Sequence, residues 1–138
     1  MTTSNEALEA IDARFVSLYT GVPEARWVLQ NEDEDFTANT TDPWLRISVL
    51  NETRAQETLG KKGNRKYRSG DRLVVQVYTA TNVGVQTGDN LAQEVLDLFE
   101  GESFSGLDFN NGLKRRAGAD GKWYQHVAEV EFDYEQIK

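Results

Sequence analysis

The chain has 138 residues, with 15 Lys and Arg against 23 Asp and Glu, a single His, no Cys and a net charge of -8. That length suits one domain burying about two-thirds of the surface its unfolded chain exposes. The missing thiols exclude disulfides and thiolate metal sites, and one His makes a His-based metal cluster or triad hard to build. The first fifteen residues lack a basic-then-apolar leader pattern, and no apolar run approaches the ~20 residues that span a bilayer. The expectation is therefore a cytoplasmic domain, without membrane contact, cofactor or metal, in which the sequons Asn39-Thr40-Thr41 and Asn51-Glu52-Thr53 are accidental.

Taken in chain order, Thr3 to Tyr19 predicts a helix. Thr3 and Glu6 fit a capping box, Leu8, Ile11, Phe15 and Leu18 recur at helical spacing, and Gly21 and Pro23 stop it. Arg26–Gln30 is a short strand candidate. The acidic run Glu32-Asp33-Glu34-Asp35 and the polar stretch to Asp42 read as loop. In Trp44–Leu50, Leu45, Ile47 and Val49 alternate with Trp44, Arg46 and Ser48, which predicts a strand. Residues 51–70 show no apolar periodicity and predict a long, mobile, basic loop. Asp71–Thr79 is the clearest strand, with Leu73, Val75 and Val77 on one side. A second helix follows, with Leu91, Val95, Leu98 and Phe99 as its apolar face and Gly101 as its stop. Ser103–Phe109 and Gly112–Arg116 are strand candidates. The turn Ala119-Asp120-Gly121 opens a last strand, Trp123–Tyr134, in which Tyr124, His126, Ala128, Val130 and Phe132 share a face. The order α-β-β-β-α-β-β-β, without internal repeats, predicts one α+β domain: an antiparallel-rich mixed sheet packed by two helices on one side.

The charge is distributed in blocks. Residues 1–44 carry -7, residues 45–72 carry +5, residues 73–113 hold six acids and no base, and residues 114–138 balance. The basic stretch Lys61-Lys62-Gly63-Asn64-Arg65-Lys66-Tyr67-Arg68 reads either as a solvated loop or as a contact surface. The rest of so acidic a surface repels nucleic acid. The eleven glycines form no Gly-x-Gly and no Walker loop, and no Gly-x-Ser-x-Gly occurs. His126 lies on the apolar face of its strand, which suits a core or interface histidine better than a general base. The run 32–35 lacks the alternating spacing and central Gly of a calcium loop. Trp27, Trp44 and Trp123 border strands, and Glu129 and Glu131 beside Trp123 do not suit a base-stacking platform. No enzyme signature survives, and what remains is an acidic domain suited to touching other protein.

Pro43-Trp44-Leu45-Arg46-Ile47-Ser48-Val49-Leu50, followed by Gln56-Glu57-Thr58-Leu59-Gly60, resembles the phage tail terminator-like family, in which a Pro-aromatic-aliphatic-Arg strand precedes a Gln-x-(Ser/Thr)-(Leu/Ile)-Gly segment. Leu73–Tyr78 is similar to the family's third strand and Leu91–Phe99 to the Ala/Leu helix after it. Asp120-Gly121-Lys122-Trp123-Tyr124 is similar to the opening of the family's final strand. The helix ahead of Gly21-Val22-Pro23 agrees as well, so the resemblance runs over nearly the whole chain. It departs from the family's pattern at 32–35 and 61–68.

The resemblance implies a structural protein of long, non-contractile phage tails, not an enzyme. Such a protein caps the completed tail tube as a six-membered ring, stops tube polymerisation and offers a surface to the head. Its partners are itself, the tail tube protein and a head-completion or neck protein, and DNA passes through the lumen without specific binding. It assembles in the host cytoplasm and ends at the head-proximal end of the virion tail. A sphere for 138 residues has a diameter of about 37 Å, and six in a ring leave a hole of about the same width. Duplex DNA, roughly 20 Å across, passes through such a hole. Candidate residues of the subunit or tube interface are Arg46, Arg54, Lys61, Lys62, Arg65, Lys66 and Arg68 on the basic side. On the acidic side they are Glu32, Asp33, Glu34 and Asp35, or the face 89–102. Two alternatives stay open: a head-side neck or stopper ring, and a small non-catalytic ligand-binding α+β domain.

Overall fold

The computed structural model describes residues 4–22, 27–29, 43–56, 60–63, 65–81 and 84–137. Helix α1 spans Ser4–Leu18, and strand β1 (Trp27–Leu29) follows. Strands β2 (Trp44–Gln56) and β3 (Lys66–Ala80) precede helix α2 (Gln86–Phe99). Strands β4 (Ser103–Phe104), β5 (Leu107–Asp120) and β6 (Trp123–Ile137) complete the chain. The six strands form one sheet in the order β1-β2-β3-β6-β5-β4. β1 runs parallel to β2, and every other pairing is antiparallel. This is the α+β arrangement that the pattern of the sequence predicts.

Alternation along the strands decides which side chains meet the helices. Leu45 and Ile47, Leu73, Val75 and Val77, Leu107 and Phe109, and Ala128, Val130, Phe132 and Tyr134 all point to one face. They join Ala7, Ile11 and Phe15 of α1 and Ala92, Val95, Leu96 and Phe99 of α2 in a single core cluster. The helices meet there too, with the Phe15 and Phe99 rings 5.2 Å apart. The opposite face carries a small second cluster of Val28, Trp44 and Trp123, with Tyr78 against it.

Several details differ from the sequence expectation. Helix α1 buries Ala7, Ile11 and Phe15, with Tyr19 buried just beyond its end, whereas Leu8 and Leu18 stay 45% and 48% exposed. The rings of Phe15, Tyr19, Trp27 and Phe99 pack together and set the rotation of the helix. In α2, Leu91 and Leu98 flank the core while Ala92 and Leu96 enter it. The expected strand Ser103–Phe109 is broken at Ser105 and Gly106, whose φ values of 51° and 81° make a tight hairpin turn. Gly112–Arg116 is part of the longer β5, which passes through bulges at Phe109/Gly112 and Arg116/Gly118. The expected cap at Thr3, the stop at Pro23, and the acidic run Glu32–Asp35 lie outside the described residues.

The largest difference concerns 51–70. Most of that stretch is strand, not loop: β2 continues to Gln56 and β3 begins at Lys66, in the register Thr53↔Gly70 to Gln56↔Tyr67. The chain pairs there without an apolar stripe because β3 lies between β2 and β6. Lys66 to Gly70 also pair with Asp133 to Ile137. Backbone hydrogen bonding on both sides, together with ionic pairs across the strands, takes the place of burial as the reason for the strand.

Candidate assembly surface

The face of the sheet turned away from α1 and α2 is built on β6. Its period-two pattern places Glu129, Glu131, Asp133 and Glu135 in a row on one side, about 7 Å apart. Like charges at that spacing repel, and arginines of the neighbouring strands offset the repulsion. Arg72 of β3 reaches Glu129 at 3.2 Å and Glu131 at 3.1 Å, and Arg115 of β5 reaches Glu129 at 3.2 Å. Arg68 donates to Asp133 and lies 3.4 Å from both Glu135 and Asp108. Arg68, a candidate contact cation, is thus engaged inside its own subunit.

Arg46 of β2 stands on the same face, opposite Gln76, with its guanidinium 5.7 Å from the Trp44 ring centroid. Trp44 stacks on Tyr78 at 4.1 Å and meets Trp123 edge-on at 6.0 Å. The sheet therefore holds Arg46 beside an aromatic cluster, away from the other candidate cations.

Those others gather around the β2–β3 connection. Lys61 and Lys62 are exposed, and Gly63, at φ +98°, turns the chain between them and the start of β3. Arg65 is half-buried, and Lys66, the first residue of β3, is exposed. Arg54 pairs through its backbone with Ser69 of β3. The structure thus brings Lys61, Lys62 and Lys66 together at one end of the ribbon that β2, β3 and β6 form.

At the outer side of β2 a groove of about 310 Å³ opens between that strand and α1. Ile11, Phe15, Ile47 and Val49 form its apolar wall, and Glu9 and Asp12 stand exposed on its rim. The only base of α1, Arg14, is turned the other way: its Nε donates to the Leu98 carbonyl at 2.7 Å, and its guanidinium lies 4.5 Å from the Phe104 centroid. Among the described residues the groove rim is therefore negative.

His126 belongs to the core and to no surface. It is fully buried beneath the first turns of α2, where Gly88 leaves room for the ring. Burial pushes its pKa below the usual value, against the pull of Asp89 and with the help of Arg116 and Lys114. Nearby, Lys114 and Asp89 pair at 3.1 Å, tying β5 to α2. Burial and the Glu94 carboxylate push the Tyr19 phenol upward, and its hydroxyl donates to the Leu91 carbonyl at 3.3 Å. Among the described residues no three His, Asp or Glu side chains gather as a metal site, and no helix is long and apolar enough to cross a membrane.

Sequence reasoning missed Arg72, Arg115 and the length of the carboxylate row. The signal for the row was present: 129, 131, 133 and 135 are all acidic at a strand's period. The groove had no such signal, because it arises from the docking of two elements distant in sequence.

Comparison with known proteins agrees with the resemblance. A family model described as phage tail terminator protein matches residues 7–114. No curated protein matches. One solved structure is 18% identical, covers 99% of both chains and superposes with a TM-score of 0.63, so the two share a fold.

Proposed function

This chain belongs to the phage tail terminator family, a family of structural tail components, and from that premise we propose that it caps the finished tail tube as a ring of six copies. The ring stops further addition of tube protein and presents its other side to the head-completion or neck protein, at the head-proximal end of the tail. Its action is binding, without chemistry.

The observation that carries this reading beyond the family is the separation of unlike charges on one subunit. Lys61, Lys62 and Lys66 stand at the ribbon end, while Glu9 and Asp12 line the rim beside α1. A cyclic ring is made by head-to-tail contacts, and each copy must then offer two different, complementary patches. A subunit about 37 Å across gives a six-membered ring with a hole of similar width, wide enough for duplex DNA. The net charge of -8 disfavours retention of that DNA.

Co-sedimentation with preformed tail tubes tests the capping mode. A cap binds ends, so the amount bound rises when the same mass of tube is sheared into shorter pieces. Binding that follows tube mass and ignores the number of ends contradicts capping.

A further inference from the structure

We propose that the outer edge of β5, at residues 114–117, receives the acidic residues 32–35 of a neighbouring copy of this chain, which makes the two a contact of the ring. The proposal rests on the head-to-tail reading above. Three observations carry it.

The first is an edge without a partner. β4 pairs with β5 only at Leu107 and Asp108. The Phe109 N–H donates to the Glu102 carbonyl at 2.9 Å, and the Gly112 N–H donates to the Glu100 carboxylate at 2.6 Å. Beyond Gly112 that cover ends. Since the Gly112 N–H points outward, the period of two turns the N–H and C=O of Lys114 and Arg116 outward as well. Those groups have no hydrogen-bond partner in the subunit. Arg115, Arg116 and Ala117 are exposed beside them. A strand edge in that state pairs readily with another chain.

The second is charge. Lys114, Arg115 and Arg116 are consecutive cations on this edge. Lys114 pairs with Asp89 and Arg115 with Glu129. Arg116 is exposed, and no carboxylate pairs with it among the described residues. Like charges set opposite each other keep the edge from pairing with β5 of another copy, so a two-fold contact is disfavoured there. An acidic segment is attracted instead, and 32–35 is the longest unbroken run of acids in the chain.

The third is reach. β1 and β5 stand towards opposite sides of the sheet. Leu29 is level with Lys114, through Ile47, Val75 and Ala128 of the strands between. A chain lying outside β5 is five strand spacings from β1, about 24 Å. Fully extended from Leu29, the chain reaches about 11 Å at Glu32 and about 22 Å at Asp35. A path over either face is longer still, because it must clear the side chains. The run therefore cannot lie along its own β5. It is within reach of the β5 edge of a copy placed beside β1. Edge and run are different patches on different sides, so the contact is heterologous and can close a ring.

Charge reversal and crosslinking test the pairing on chains assembled at tail-tube ends. Arg116→Glu is expected to weaken assembly about tenfold, as a partly screened attraction becomes a repulsion. Arg116 is exposed and unpaired, so the urea midpoint stays unchanged and shows that folding is intact. In an extended segment either Glu32 with Glu34 or Asp33 with Asp35 shares a side with Arg116. Reversing that pair to lysine weakens assembly as well, and adding Arg116→Glu to it restores assembly. The crosslinking arm uses the absence of cysteine. With a short bismaleimide, a mixture of Asp35→Cys and Ala117→Cys chains gives several-fold more heterodimer than a mixture of Asp97→Cys and Ala117→Cys.

If Arg116→Glu restores neither reversed pair, or crosslinking only equals the Asp97 control, the pairing is overturned. Ala117→Cys chains that crosslink to one another, or to tube protein in place of a second copy, overturn it too. If the unaltered chain still caps tubes in those cases, only this contact fails. If the unaltered chain binds no tube end, the proposed function fails by itself.

Discussion

His126 and Gly88 form a pair in which each residue explains the other. A Cβ at position 88 would fall 2.3 Å from Nδ1 and 2.5 Å from Cε1 of the imidazole. Glycine is there for close approach, in a helix whose φ needs no special residue. Gly88→Ala gains up to about 1 kcal/mol of helix propensity but must displace a buried ring, an overpacking cost of roughly 1–3 kcal/mol. The clash wins, and a lowered urea midpoint is the expected result. The buried imidazole also makes stability depend on pH. Its pKa is lowered in the folded protein, so below about pH 6.5 the unfolded chain binds a proton that the folded chain refuses. Stability therefore falls as pH drops from 7 towards the folded pKa, with a slope of up to about 1.4 kcal/mol per pH unit. No other His contributes. Urea titrations at pH 7.0 and 5.5 should show this slope in the native chain and lose it in His126→Leu; equal slopes in both would show that the imidazole is not its source.

At the scale of elements, the ionic ladder across β3, β6 and β5 does for the sheet face turned away from α1 and α2 what the core does for the other. Glu129 is only 15% exposed and takes both Arg72 and Arg115. Arg72→Ala removes one of those cations and is expected to cost about 1–3 kcal/mol, because a largely buried carboxylate loses a charge-assisted hydrogen bond. Denaturant midpoints of the native and Arg72→Ala chains check it, and an unchanged midpoint would mean that the pairing of Arg72 with Glu129 adds nothing to stability. The ladder also explains why these elements were only partly legible. Apolar alternation announced β2 as far as Leu50 and β3 from Asp71. The polar end of β3 is held to β6 by Arg68, Asp133 and Glu135, and that of β2 by its register with β3, none of which a local pattern registers. The turn at Ser105-Gly106 hid for a related reason, since only the backbone sign of φ at two residues distinguishes it from continuing strand. The order of elements and the core of β3 and β6 were legible because burial imposes its period directly on Leu73, Val75, Val77, Ala128, Val130 and Phe132.

At the scale of the whole molecule, the sheet is a platform with its hydrophobic side packed by two helices. The candidate cations of the sequence divide accordingly. Arg68 is committed inside the subunit and Arg46 sits beside Trp44, while Lys61, Lys62 and Lys66 stand at the ribbon end. Reversing Lys61 and Lys62 should therefore leave stability within about 0.5 kcal/mol of the native chain, as for other exposed sites, and yet impair capping. The central claim is that this subunit closes into a ring that ends tube growth. The direct measurement is electron microscopy of tubes grown from the cognate tube protein with and without this chain. The account predicts tubes of bounded length with a ring at one end when the chain is present. Tubes that grow without limit and carry no cap in its presence would contradict it.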